Sequence, residues 1–145
     1  MTVQRWKTET LDPTQTSPNW FDHDDAGGHV RFLDAAEPIP DGRSDSPELV
    51  AHVDFDTDRL LYLAGSGPDA RCHRLVVDDV SLVEEALSID AHVDCESGMA
   101  AQAITYPASV LWVPDVSATR VTASITDGWE RTHTDTATLG RSDER

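Results

Sequence analysis

Leu87-Ser88-Ile89-Asp90-Ala91-His92-Val93-Asp94 is the stretch whose reading decides the fold. Leu87, Ile89, Ala91 and Val93 alternate with Ser88, Asp90, His92 and Asp94. Successive side chains of an extended strand point to opposite faces, so a period of two lines one face with hydrocarbon and gives the other to water. The same beat returns at Val121, Ala123 and Ile125 against Thr122, Ser124 and Thr126, and stops at Asp127-Gly128. Val53 and Phe55 alternate with His52 and Asp54. Between these lie short apolar runs: Leu60–Ala64, halted by the turn cluster Gly65-Ser66-Gly67-Pro68-Asp69, then Leu75–Val77, Val80–Val83, and Val110–Val113 after Ile104-Thr105-Tyr106-Pro107. Val80–Leu87 has room for two helical turns capped by Asp78-Asp79, but its β-branched neighbours favour strand. Several short strands at this spacing predict an all-β domain, a small antiparallel β-sandwich or partly open barrel.

Outward from this core the pattern weakens. Residues 48–129 carry the β-rich domain. Residues 1–47 read as an irregular N-terminal arm with one strand near His29–Leu33, because Pro13, Pro18, Pro38, Pro40, Pro47 and the Gly27-Gly28 pair interrupt it. Trp6, Trp20 and Phe21 are expected to pin parts of the arm to the core. Residues 130–145 are polar, rich in threonine, and expected to fray.

Composition bounds the function. The 145 residues, 39% of them hydrophobic, suffice for one domain around a single core. The net charge is −16, which argues against nucleic acid or an anionic membrane as partner. Lys7 is the only lysine, and short aspartates are scattered along the chain. Such a surface repels itself in dilute buffer and is relieved at molar salt, where the Debye length is about 3 Å. We read it as adaptation to high salt. The other reading is a calcium surface. Asp54, Asp56 and Asp58 have the alternation of a calcium loop, but Arg59 stands where that loop needs glycine. No apolar run approaches the roughly 18 residues of a membrane span. Nor does Met1–Lys7 lead into the apolar stretch of a secretory leader, so at face value the chain is cytoplasmic.

Cys72 and Cys95 pull the other way. If an antiparallel hairpin is centred on Val83 and Glu84, they oppose each other within disulfide reach. A bond there would add roughly 3 kcal/mol, mainly by restricting the unfolded chain. It would also favour an oxidising, extracytoplasmic compartment. The competing reading is zinc held by Cys72, His73, His92 and Cys95. The same register places the histidines on the face opposite the thiols, which splits that ligand set.

Val53-Asp54-Phe55-Asp56 with Leu60-Leu61-Tyr62-Leu63, the turn Gly65-Ser66-Gly67-Pro68, Gln102-Ala103-Ile104-Thr105-Tyr106-Pro107 and Val110-Leu111-Trp112-Val113-Pro114 form a constellation. It resembles the C-terminal domain of the protease complex subunit PrcB family. Pro68-Asp69-Ala70-Arg71 follows the turn where that family has T-G-G-Y. The resemblance implies a small, β-rich, typically exported domain acting as a non-catalytic partner within a protease complex. It brings no catalytic residues.

The residues themselves offer little chemistry. G-x-S-x-G, H-E-x-x-H and a P-loop are absent from the sequence. Ser66 lies in Gly65-Ser66-Gly67, which is followed by Pro68 with no helix pattern, unlike a nucleophile elbow. Cys72 and His73 are strand neighbours and point to opposite faces. His23 among Asp22, Asp24 and Asp25 reads as a solvated loop, and His52 and His92 sit at polar strand positions. We therefore expect no catalytic residue, metal or cofactor. The expected function is a non-enzymatic domain that binds another protein, self-associates or stabilises an assembly. Tyr106, Trp112 and Trp129 are the anchors if there is an interface, although Trp112 has the apolar neighbours of a core residue. The alternative is a hydrolase or metal-dependent enzyme built on the His/Asp loops. It requires His23 or His29 to converge with His52, His92 or His133 in a cleft.

Overall fold

The computed structural model describes residues 5–14, 18, 20–21, 27–33, 53–54, 56–68, 71–95, 104–114, 116 and 118–138. Among these, eight strands and no helix form: β1 (Lys7–Thr14), β2 (His29–Leu33), β3 (Arg59–Ala64), β4 (Cys72–Val83), β5 (Ala86–Cys95), β6 (Tyr106–Val113), β7 (Arg120–Thr126) and β8 (Thr132–Thr138). They make two four-stranded sheets, ordered β1-β6-β3-β2 and β4-β5-β7-β8, packed face to face as an all-β sandwich that does not close into a barrel. Val80–Val83 is strand and Ala86 begins the next one, so the helical option at Val80–Leu87 is replaced by a hairpin. The sandwich is not antiparallel throughout: of its six strand pairings among the described residues five are antiparallel, but β5 and β7 run parallel. Parallel neighbours need a crossover, and here β6 supplies it from the opposite sheet.

The two patterns seen in the sequence correspond to two environments. β5 and β7 alternate because one face meets the core and the other water; Leu87, Ile89, Ala91, Val93, Val121, Ala123 and Ile125 are all buried. The unbroken runs of β3 and β6 belong to strands buried on both faces. Leu61, Leu63, Leu111 and Val113 point into the space between the sheets. Leu60, Tyr62, Ala64, Ala108 and Val110 form a second apolar layer on the outer side, where Trp20, Val53 and Trp112 pack.

The segments expected to be irregular complete both sheets. Among the described residues, 1–47 contribute two strands, the expected one at His29–Leu33 and a second at Lys7–Thr14, and these are the two edges of the first sheet. Residues 130–145 contribute β8, an edge of the second. Local propensity in these segments is weak, and pairing with an already ordered neighbour overrides it. The expected pins behave differently from one another. Trp6 packs on the inner core and Trp20 on the outer layer. Phe21 meets Tyr106 edge-on, with centroids 5.1 Å apart.

Side chains stitch the sandwich along both sides. On one side the buried Ser109 hydroxyl of β6 donates to the Leu75 carbonyl of β4 at 2.7 Å, and Thr105 donates to the Cys72 carbonyl at 2.9 Å. On the other, the Val30 amide of β2 donates to the Asp135 carboxylate of β8 at 2.9 Å. Each bond satisfies an edge-strand backbone group that neither ladder reaches.

Cys72 opposes Cys95 in the β4–β5 ladder and is disulfide-bonded to it, with Cα atoms 3.9 Å apart. The hairpin reaches that pairing by another route than the sequence suggested. Its turn is Glu84-Glu85, one residue later than expected. An unbroken ladder from this turn would set Cys72 against Ser97. Two bulges, between Val77 and Asp79 and between Cys72 and Arg74, each absorb one extra β4 residue and return Cys72 to Cys95. The first bulge also lets Asp78 and Asp79 both face water while Val77 and Val80 stay buried.

Candidate binding groove

β1 is an edge strand, and its register against β6 sets Lys7 beside Trp112. The Lys7 ammonium lies over the indole, 5.9 Å from its centroid. The indole is fixed from its other end. Trp112 Nε1–H donates to Asp58 Oδ2 at 2.9 Å, and Thr57 and the Asp54 amide donate to the same carboxyl group. Asp58 is buried, so its hydrogen bonds are what make its burial tolerable. Together with Arg5, Trp6 and Pro114, these two side chains enclose a groove of about 330 Å³. That volume suits a few side chains or a small ligand. Two indoles supply apolar surface, and an ammonium and a guanidinium supply positive charge, in a chain whose net charge is −16.

The three aromatic anchors expected from the sequence do not share a surface. Trp112 lines the groove. Tyr106 is buried and packs edge-on against both Trp20 and Phe21. Trp129 is exposed on the β7–β8 turn, with the Arg131 guanidinium 5.7 Å above its ring. The strand directions put that turn at the end of the sandwich away from the groove. Arg5, Trp6, Lys7 and Pro114 are not among the interface residues expected from the sequence. The available signal was the sole lysine of the chain standing next to a tryptophan and an arginine.

The histidine candidates divide. His29 and His133 come to the same edge, where β2 meets β8. His29 Nδ1 is 3.4 Å from Asp135 Oδ2, and His133 Nε2 is 2.6 Å from Asp127 Oδ2. Both carboxylates also serve the backbone. Asp127 Oδ1 accepts the amides of Trp129 and Arg131, fixing the β7–β8 turn, and Asp135 accepts that of Val30. Burial raises the pKa of Asp135, but the His29 hydrogen bond, the Val30 amide, the nearby His29 charge and the Thr136 amide outweigh it, so the net direction is down. His92 lies on the solvent face of the second sheet, 2.7 Å from Asp78.

Comparison with known families, with curated proteins and with solved structures finds no match.

The remaining candidates settle on geometry. The Cys72 and Cys95 sulfurs are bonded to each other, so the thiol half of the zinc set is taken. Asp54, Asp56 and Asp58 form a turn in which Asp54 Oδ1 accepts the Asp56 amide and Asp58 holds Trp112. Among the described residues, no three His, Cys, Asp or Glu side chains are arranged to hold a metal ion, and no helix is long and apolar enough to cross a membrane. Ser66 is fully buried, and its hydroxyl has no hydrogen-bond partner among the described residues. His23 and His52 lie outside the described residues.

Proposed function

We propose that this chain is a non-enzymatic β-sandwich, adapted to high salt, that binds another protein or stabilises an assembly through the groove end. The observation that carries the reading is the groove itself. It gathers the chain's only lysine, an arginine, two tryptophans and a proline on one rim of an otherwise acidic molecule. Aromatic and arginine side chains around a partly desolvated pocket are the composition of an interface centre. At molar salt, long-range attraction is screened, so recognition must rest on apolar burial and contact ion pairs. This groove offers both. The likeness to the PrcB family supports a non-catalytic partner role, and the Cys72–Cys95 bond supports an oxidising compartment.

The test is cross-linking of the tagged, disulfide-intact chain in native lysate at molar potassium chloride, with the bait's cross-linked residues mapped. The expected result is a partner contact centred on residues 5–7 and 112–114. Folded bait that cross-links to nothing overturns the reading.

A second reading, a hydrolase, is favoured by the convergence of His29 and His133 with Asp127 and Asp135. It requires hydrolytic turnover by the purified chain that His133→Ala abolishes while leaving the melting transition cooperative.

A further inference from the structure

We infer that the Cys72–Cys95 bond is a one-sided thiol-exchange site: a small-molecule thiol adds reversibly to Cys95 alone, and its arrival loosens the turn that carries Trp129. The site lies apart from the groove, and its test is independent of protein binding.

The two sulfurs stand in opposite surroundings. Cys72 is fully buried in the inner core, whereas Cys95, its ladder partner, is exposed. In thiol–disulfide exchange a thiolate must approach one of the two sulfurs, and access decides which. In the folded chain that sulfur belongs to Cys95. The incoming thiolate bonds to Cys95 Sγ, the Cys72–Cys95 bond breaks, and its electron pair leaves on Cys72 Sγ, which takes a proton from water. One disulfide is exchanged for a mixed one, and the thiol is the only co-reactant. The ladder favours a small thiol as that reagent. Asp94 is held to Arg74 both in register and as an ion pair, so the residue before Cys95 stays in its sheet and does not extend into the cleft of a protein oxidoreductase.

The leaving sulfur links the exchange to the turns. A Cβ on Gly67 would lie 2.3 Å from Cys72 Cβ, and one on Gly128 would lie 3.0 Å from Cys72 Sγ. Only bare backbone fits so close, so two glycine turns wall Cys72 in. Those turns are tied together. The Gly128 amide donates to the Ser66 carbonyl at 2.8 Å, and Gly67 and Thr105 exchange backbone bonds at 2.9 and 3.0 Å. The Thr105 hydroxyl in turn donates to the Cys72 carbonyl. Once unbonded, the sulfurs must separate to van der Waals contact, which drives Cys72 against this wall. A thiolate there also faces core hydrocarbon, so it is quenched only as the turns part and admit water. Thiolation of Cys95 therefore loosens Gly128 and, with it, the exposed Trp129. The return path is built in. The rungs Arg74–Asp94 and Leu75–Val93 keep Cys72 beside Cys95, so when free thiol is withdrawn Cys72 attacks Cys95 Sγ and expels the small thiol.

The experiment incubates the full, disulfide-intact chain with 2-mercaptoethanol at molar potassium chloride, quenches with acid, alkylates the freed thiol in denaturant and maps both cysteines by mass spectrometry. A parallel incubation is made in denaturing urea. Hydrogen exchange is read on the mass-selected adduct at mildly acidic pH. The expected result is an adduct on Cys95 with alkylated Cys72, at least roughly tenfold over the reverse isomer, and near parity in urea. The Gly67 and Gly128 amides should exchange roughly tenfold faster in the adduct, with Ala123 unchanged. In Cys95→Ser the remaining Cys72 thiol should resist iodoacetamide while the chain is folded, whereas Cys95 in Cys72→Ala should react readily; if either variant fails to fold, the adduct map of the parent decides. Two free thiols in the purified chain, no adduct in the folded state, adducts on both cysteines alike or on Cys72, or unchanged exchange at Gly128 would each overturn the inference.

Discussion

Ser66 is where a single side chain works against the fold. Its hydroxyl is buried without a hydrogen-bond partner among the described residues, a desolvation penalty of about 1–3 kcal/mol. Ser66→Ala should therefore raise stability by about 1 kcal/mol in urea denaturation; a loss would mean that the hydroxyl is satisfied in solution. Asp135 works the other way. Its carboxyl is held below the usual range because its bonds to His29 and Val30 outweigh burial. A depressed carboxylate pKa stabilises the fold above the unfolded value and loses that contribution as pH falls through the folded one. Asp135→Asn should thus be less stable at pH 7 and should approach the parent at pH below about 3.8. The difference at neutrality should be about 1 kcal/mol. It comes from the weakened bond to Val30, because the side chain is 36% exposed and solvent screens its pairing with His29. Thermal melts of both proteins from pH 2 to 8 read the convergence directly. Parallel curves across that span would show that Asp135 does not couple the sheets.

The β4–β5 hairpin is the element on which the sequence and the structure can be compared most closely. Its strand character was written in the alternation of Leu87–Asp94, and the Cys72–Cys95 pairing followed from assuming a plain ladder. That assumption misplaced the turn by one residue, and the two bulges restored the pairing. The first bulge does leave a trace, since Val77-Asp78-Asp79-Val80 breaks the period of two; the second has no comparable signal. β2 was legible in the apolar beat of His29–Leu33, whereas β1 and β8 were not, because their order comes from neighbours. β1 carries Pro13 and charged residues, and β8 turns His133 and Asp135 toward β2 where a core strand would turn hydrocarbon. The groove was hidden for the same reason: Trp112 meets Lys7 only once β1 is known to be a strand in that register. At the turn, Glu84 adopts φ 57°, a left-handed conformation that favours glycine. Glu84→Gly should stabilise the protein by about 1 kcal/mol, read as a higher urea midpoint with an unchanged slope. Reduction of the disulfide, which closes 23 residues, should cost roughly 3 kcal/mol by the chain-entropy account.

At the scale of the whole molecule the governing quantity is the charge of −16 on 145 residues. Confining it to a folded volume rather than an expanded chain raises its self-repulsion, and counter-ions relieve the compact state more than the open one. Adding potassium chloride from 0.1 M to 1 M, which shortens the Debye length from about 10 to 3 Å, should stabilise the fold by a few kcal/mol, or roughly 10 °C in Tm. The shape of the curve separates two causes. Screening is nearly complete by about 1 M, so a Coulombic response rises steeply and then flattens. Exclusion of salt from apolar and peptide surface continues to strengthen burial beyond that point, without a plateau. A melting series through 3 M therefore distinguishes a fold relieved of repulsion from one merely salted out, and a flat series would remove the high-salt reading altogether. The same reasoning constrains the groove. Once long-range fields are screened, a partner gains little in association rate from Lys7, and any contribution of that side chain must appear at contact. In molar salt, Lys7→Glu should thus act mainly on the dissociation rate, with the association rate changed little, and stopped-flow fluorescence separates the two.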